Sequence, residues 1–184
     1  MYLQADEEFP LSRVVAVLHP RRPIIAYHLL WRDDAHGAWI PFTKPTDEEI
    51  VWVGYDSAGR PTELWTYWHG TLLHTDWRDR GPVMVDVQWG KHGSLPRRAV
   101  LADLPFPKKM PFFWLAGFVV PDLALGRIFR KGPWCFCHGY GRYRRFTRPL
   151  TVGDRLDAVV RLEDPHPALR AVFGHPYSEK EPWP

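Results

Sequence analysis

The chain has 184 residues, a formal charge of +3 and 45% hydrophobic content, which predicts a single globular domain spanning 1–184. No stretch reaches the ~18 uninterrupted apolar residues of a membrane-spanning helix, and so mild a positive charge gives no reason to expect nucleic acid as a partner. Residues 1–10 carry Asp6, Glu7 and Glu8 where an export signal would need a basic and then an apolar region, so the expected location is the cytoplasm.

Arg outnumbers Lys, Asn is absent, Gln occurs only at positions 4 and 88, and Pro reaches nineteen. Loss of thermolabile amides with stiffened loops is a thermophile-like bias that a GC-rich genome would also produce. With only Cys135 and Cys137, no disulfide framework is available, and the core must hold the fold. The two thiols are expected reduced and buried.

In chain order, short runs rich in β-branched and aromatic residues fall at 12–18, 23–31, 49–55, 62–69, 83–89, 133–138, 155–162 and 169–173. Eight such runs separated by Pro, Gly and Asp predict an all-β protein, an antiparallel β-sandwich with at most one or two short helices. Asp56-Ser-Ala-Gly-Arg60 is the clearest hairpin turn, because Gly59 can take the positive φ that a bulged loop needs. Residues 101–131 read as a long Pro-rich insertion or lid, with a helix expected from Asp122 to Phe129. Residues 164–184 read as an extended tail.

The chemistry concentrates around strand ends. Thr46-Asp47-Glu48-Glu49 opens a strand, and alternation would set Asp47 and Glu49 on one face. Two carboxylates so placed repel unless a cation lies between them. Other strands end in Tyr67-Trp68-His69-Gly70 and Gly90-Lys91-His92-Gly93-Ser94, where a small neighbour leaves each imidazole accessible at a sheet rim. Carboxylates with imidazole suit Zn²⁺, Mn²⁺ or Fe²⁺, and carboxylates with water suit Ca²⁺ or Mg²⁺. Tyr140 to Arg148 interleaves Arg142, Arg144 and Arg145 with aromatics, a run that could hold an anionic head group or an acidic glycan. Neither a phosphate loop nor a dinucleotide fingerprint occurs.

The order Ala26-Tyr27-His28-Leu29-Leu30-Trp31-Arg32-Asp33, then Asp47-Glu48-Glu49, then a Gly-Arg-Pro turn, Tyr-Trp-His-Gly and Gly-Pro-Val-Met-Val-Asp-Val-Gln-Trp-Gly-Lys-His-Gly-Ser resembles the necrosis- and ethylene-inducing-peptide-like proteins. It is also similar to the related vacuolar-protein-sorting-type domain. The match covers about residues 24–96. The resemblance implies a β-sandwich with a divalent cation at one rim, Asp33, Asp47, Glu49, His69 and His92 being the matching positions, and Ca²⁺, Mg²⁺ or Mn²⁺ ranking ahead of Zn²⁺. Two motifs differ: the family's Gly-His-Arg-His run is Thr43-Lys44-Pro45-Thr46 here, and Glu48 replaces its Trp. Plant-membrane toxicity is not carried over.

The leading expectation is a cation-binding β-sandwich that takes a small-molecule, anionic or sugar-containing ligand at that rim. Its rivals are a metal-dependent hydrolase or lyase built on the same acids and imidazoles, and a structural or partner-binding domain without metal. The residues leave enzymatic activity open.

Overall fold

The computed structural model describes residues 10–32, 47–68, 70–78, 81–90, 92–99, 146–151, 156–174 and 180–184. Nine strands and one helix lie within them: β1 (Leu11–Leu18), β2 (Ile24–Trp31), β3 (Asp47–Tyr55), β4 (Pro61–Trp68), β5 (Thr71–Asp76), β6 (Met84–Gln88), β7 (Ser94–Pro96), β8 (Phe146–Thr151), β9 (Ala158–Arg161) and α1 (His166–Phe173). Six strands form one sheet in the order β5-β4-β3-β2-β1-β9, and three form a second in the order β7-β6-β8. The protein is all-β with two packed sheets, as the spacing of apolar runs predicts.

The middle strands of the larger sheet, β2 and β3, are buried on both faces. One face shares a core with the smaller sheet, where Leu29, Trp31, Val51 and Val53 meet Val83, Val85, Val87 and Leu150. The other packs Val15, Val17, Ile50 and Trp52 against Leu169 and Phe173 of α1. This explains why Val14 to Val17 and Ile50 to Val53 are continuously apolar where one wet face would alternate. A one-residue slip would exchange those faces, so the register of β2 on β3, with Tyr27 opposite Val51 and Trp31 opposite Asp47, is firmly specified.

Four expectations need correction. Residues 169–173 are helical: Leu169, Val172 and Phe173 recur at helical spacing, Asp164 Oδ1 accepts the His166 N–H at 3.0 Å, and Gly174 closes the helix at φ 74°. The tail from 164 is therefore not wholly extended. The sandwich is not wholly antiparallel, since β9 runs parallel to β1. Strands β5, β7 and β8 escape the sequence pattern because β5 sets Leu72 beside His74 and Asp76 on its exposed side, β7 has three residues, and β8 holds Arg148 and Pro149. The run at 133–138, the helix at 122–129, the insertion and both cysteines lie outside the described residues.

The β3–β4 turn forms as read. Asp56 Oδ1 accepts the N–H groups of Ala58 and Arg60, both at 2.9 Å, and Gly59 sits at φ 74°. The Arg60 N–H, and then its guanidinium, hold the Asp56 carboxyl below the usual carboxylate range.

The segment 180–184 straps the face that carries α1. Trp52 Nε1 donates to Pro182 O at 2.8 Å, and Trp183 Nε1 donates to Glu163 O at 2.7 Å. The Trp183 ring meets His19 edge-on at 4.8 Å, while His19 Nδ1 accepts the N–H groups of Arg21 and Arg22, both at 3.0 Å. Trp183→Ala should therefore cost about 1–3 kcal/mol in urea denaturation with the far-ultraviolet spectrum unchanged. A loss below about 0.5 kcal/mol, the range of an inert surface change, would contradict the docking.

Candidate functional site

Three elements meet at one rim of the sandwich: the end of β2, the start of β3 and the turn between β6 and β7. Pairing sets Trp31 opposite Asp47. The turn is closed by Gln88 N–H to Gly93 O at 3.0 Å and His92 N–H to Gln88 O at 2.9 Å. It takes Gly90 to φ 71° and His92 to φ 52°, a left-handed conformation that is uncommon for a residue with a side chain. The twist carries the imidazole inward, so His92 is fully buried.

There His92 Nδ1 lies 2.8 Å from Asp47 Oδ2, and the ring stacks on Trp31 with centroids 4.1 Å apart and planes 4° from parallel. An ionised carboxylate can only accept a hydrogen bond, so Nδ1 carries the proton and, in the neutral ring, Nε2 presents a lone pair. Nε2 is buried and has no hydrogen-bond partner among the described residues. A buried acceptor left so costs roughly 1–3 kcal/mol unless something binds it.

Gly93 lets the turn approach this closely. A Cβ added there would stand 2.9 Å from Trp68 Cε3 and 3.2 Å from Gln88 Oε1. Gly93→Ala should thus destabilise by about 1–3 kcal/mol through overpacking, read as a lower urea midpoint. An unchanged midpoint would show that Trp68 can yield.

The expected set of ligands divides. Asp47 and His92 come together. Glu49 instead engages Lys180, whose Nζ lies 3.1 Å from Glu49 Oε2, donates to Glu48 O and sits 5.5 Å from the centre of the Tyr67 ring. The two acids thus turn to different partners, Asp47 to an imidazole and Glu49 to an ammonium group. Asp33, His69, Arg142, Arg144 and Arg145 lie outside the described residues. Among the described residues no group of three or more His, Cys, Asp or Glu side chains could hold a metal ion.

Sequence reasoning passed over His28, Trp31 and Lys180. His28, opposite Ile50 in β3, is fully buried; burial first, then His166 and Lys180, push its pKa down to about 3. Its only signal is an imidazole in the interior of an apolar run. Lys180 carries none, because Glu49 lies far away in sequence.

At the opposite end of β3 a cavity of about 350 Å³ opens between Ile25, Tyr27, Val53, Tyr55 and Val83. No helix among the described residues is long and apolar enough to cross a membrane. Comparison with protein-family models, curated proteins and solved structures finds no match.

His28 makes the fold acid-sensitive. The unfolded chain takes up this proton near pH 6.5 and the folded chain only near 3, so the stabilisation is complete above about pH 6.5 and is lost progressively as pH falls toward 3. The slope should approach about 1.4 kcal/mol per pH unit between those limits. Urea denaturation from pH 7.5 to 4.5 should show that dependence reduced by up to one proton in His28→Gln. Equal slopes in the two proteins would contradict it.

Proposed function

We propose that the protein is a divalent-cation-binding β-sandwich whose ion sits at the Asp47–His92 rim. One observation carries this reading: the buried His92 Nε2 has no hydrogen-bond partner among the described residues, while Nδ1 is held on a carboxylate 2.8 Å away. Metal-binding imidazoles are ordinarily oriented in this way, with a carboxylate behind the ring fixing its tautomer and raising its basicity. Asp47 fits that supporting role. Glu49 does not fit as a ligand while it engages Lys180, and Asp33 and His69 are the sequence candidates for completing the set.

A nitrogen donor shifts the expected ion from Ca²⁺ or Mg²⁺ toward Mn²⁺ or Zn²⁺. Recognition of an anionic or sugar-containing ligand, with Arg142, Arg144 and Arg145 as the sequence candidates, belongs to the same proposal. The complete burial of His92 favours a second reading, in which the Asp47–His92 pair only fastens the β6–β7 turn to β3 and the domain acts as a structural or partner-binding unit.

Thermal melts and calorimetry of chelator-treated protein separate the two. On the first reading Mn²⁺ or Zn²⁺ raises the melting temperature, by about 2.7 kcal/mol of stabilisation at a hundredfold excess over Kd. His92→Asn tolerates the left-handed backbone and retains a donor toward Asp47 but removes Nε2, so it should abolish the rise. Asp47→Asn should weaken binding about 10–100-fold. Absence of binding for Mn²⁺, Zn²⁺, Ca²⁺ and Mg²⁺ would overturn the cation reading and leave the structural one.

A further inference from the structure

The six-stranded sheet ends at β9, whose inner neighbour is β1; among the described residues nothing pairs with its outer edge. Exposed edges are templates for another strand, and proteins commonly blunt them with charge, proline or brevity. The other edges follow that practice. β5 shows one exposed apolar residue, Leu72, next to exposed His74 and Asp76; β8 contains Arg148 and Pro149; β7 has three residues and ends in Pro96. β9 differs: Val159 is 58% exposed, and Leu156 and Leu162 on either side are each 38% exposed.

The residues around β9 read Leu156-Asp157-Ala158-Val159-Val160-Arg161-Leu162. The sequence is self-complementary about Val159. If two copies lie antiparallel on a two-fold axis through that residue, Val159 faces its counterpart, Ala158 faces Val160, Asp157 faces Arg161 and Leu156 faces Leu162. Every apolar residue then meets an apolar one and every charge meets its opposite, the pairing that stabilises neighbouring strands. A two-fold interface demands this self-complementarity, since each contact occurs twice. Shifting the register by two residues would set Val159 against Asp157 or Arg161 and lose it.

We propose that β9 is a homodimerisation edge, pairing antiparallel with β9 of a second copy and joining the two six-stranded sheets into one. Asp157 already accepts the Val14 N–H through Oδ2 at 2.7 Å and meets Arg13 through Oδ1 at 3.3 Å. Those contacts hold its carboxylate on the β1 side of β9, and the long Arg161 side chain of the second copy reaches across the strand to it. Backbone hydrogen bonds give the affinity, and the apolar and charged pairs set the register. The proposal is independent of the cation site, which lies at one end of β3 and not at this sheet edge.

Sedimentation equilibrium of the full chain from about 1 µM to 1 mM should show a reversible monomer–dimer equilibrium. Val159→Lys sets two ammonium groups face to face on the axis, and Arg161→Glu opposes Asp157 with a like charge; each should weaken the dimer at least tenfold. Both side chains are exposed, so melting temperatures measured on dilute monomer should not change. Val159→Cys, mildly oxidised, should yield a 159–159 linked peptide in mass spectrometry, since facing strand residues lie within disulfide reach. A monomer throughout, or a dimer that neither charged substitution weakens, would overturn the proposal.

Discussion

Burial of the middle strands of the six-stranded sheet on both faces is the constraint from which the other features follow. Strands β2 and β3 lie in its middle, with the smaller sheet on one side and α1 with the 180–184 strap on the other. Neither face offers water, so each polar group on these strands must find a partner in the protein or sit at a rim. Asp47 meets His92, Glu49 meets Lys180, and His28 stays neutral. The interior polar residues are thus placed by the sheet before any question of ligand arises.

Much of this architecture is legible in the sequence, for a physical reason. Val14 to Val17 and Ile50 to Val53 are apolar without interruption, and Asp56 to Arg60 carries its own turn chemistry, so local pattern and final structure agree. The pattern fails where stability comes from contacts distant in sequence. Leu169 to Phe173 has the composition of a strand but helical spacing, and composition misleads in so short a run. β8 looks like a charged surface segment, and only its pairing with β6 makes it a strand.

The site was half legible. The spacing that marked Asp47 and His92 as neighbours at strand ends corresponds to a direct 2.8 Å contact. The same spacing could not foresee that Glu49 engages an ammonium group from the far end of the chain. Nor could it foresee the Trp31 ring over the imidazole, because stacking depends on the left-handed turn at His92. Alternation along a strand predicts the direction in which a side chain leaves the backbone, not the partner it reaches.

The strap and α1 also bear on how the chain is made. Ile50 and Trp52 leave the ribosome early, yet the Leu169 and Phe173 that cover them, and the Pro182 carbonyl that receives the Trp52 indole, come more than a hundred residues later. At roughly 5–20 residues per second, that interval is on the order of ten seconds. During it one whole face of the nascent sheet is exposed and β1 lacks β9. Synthesis therefore passes through an incomplete sheet with an open greasy flank, the kind of surface that holdase chaperones bind. Slowing translation between 53 and 158 would lengthen that exposure, whereas slowing it before 47 would not.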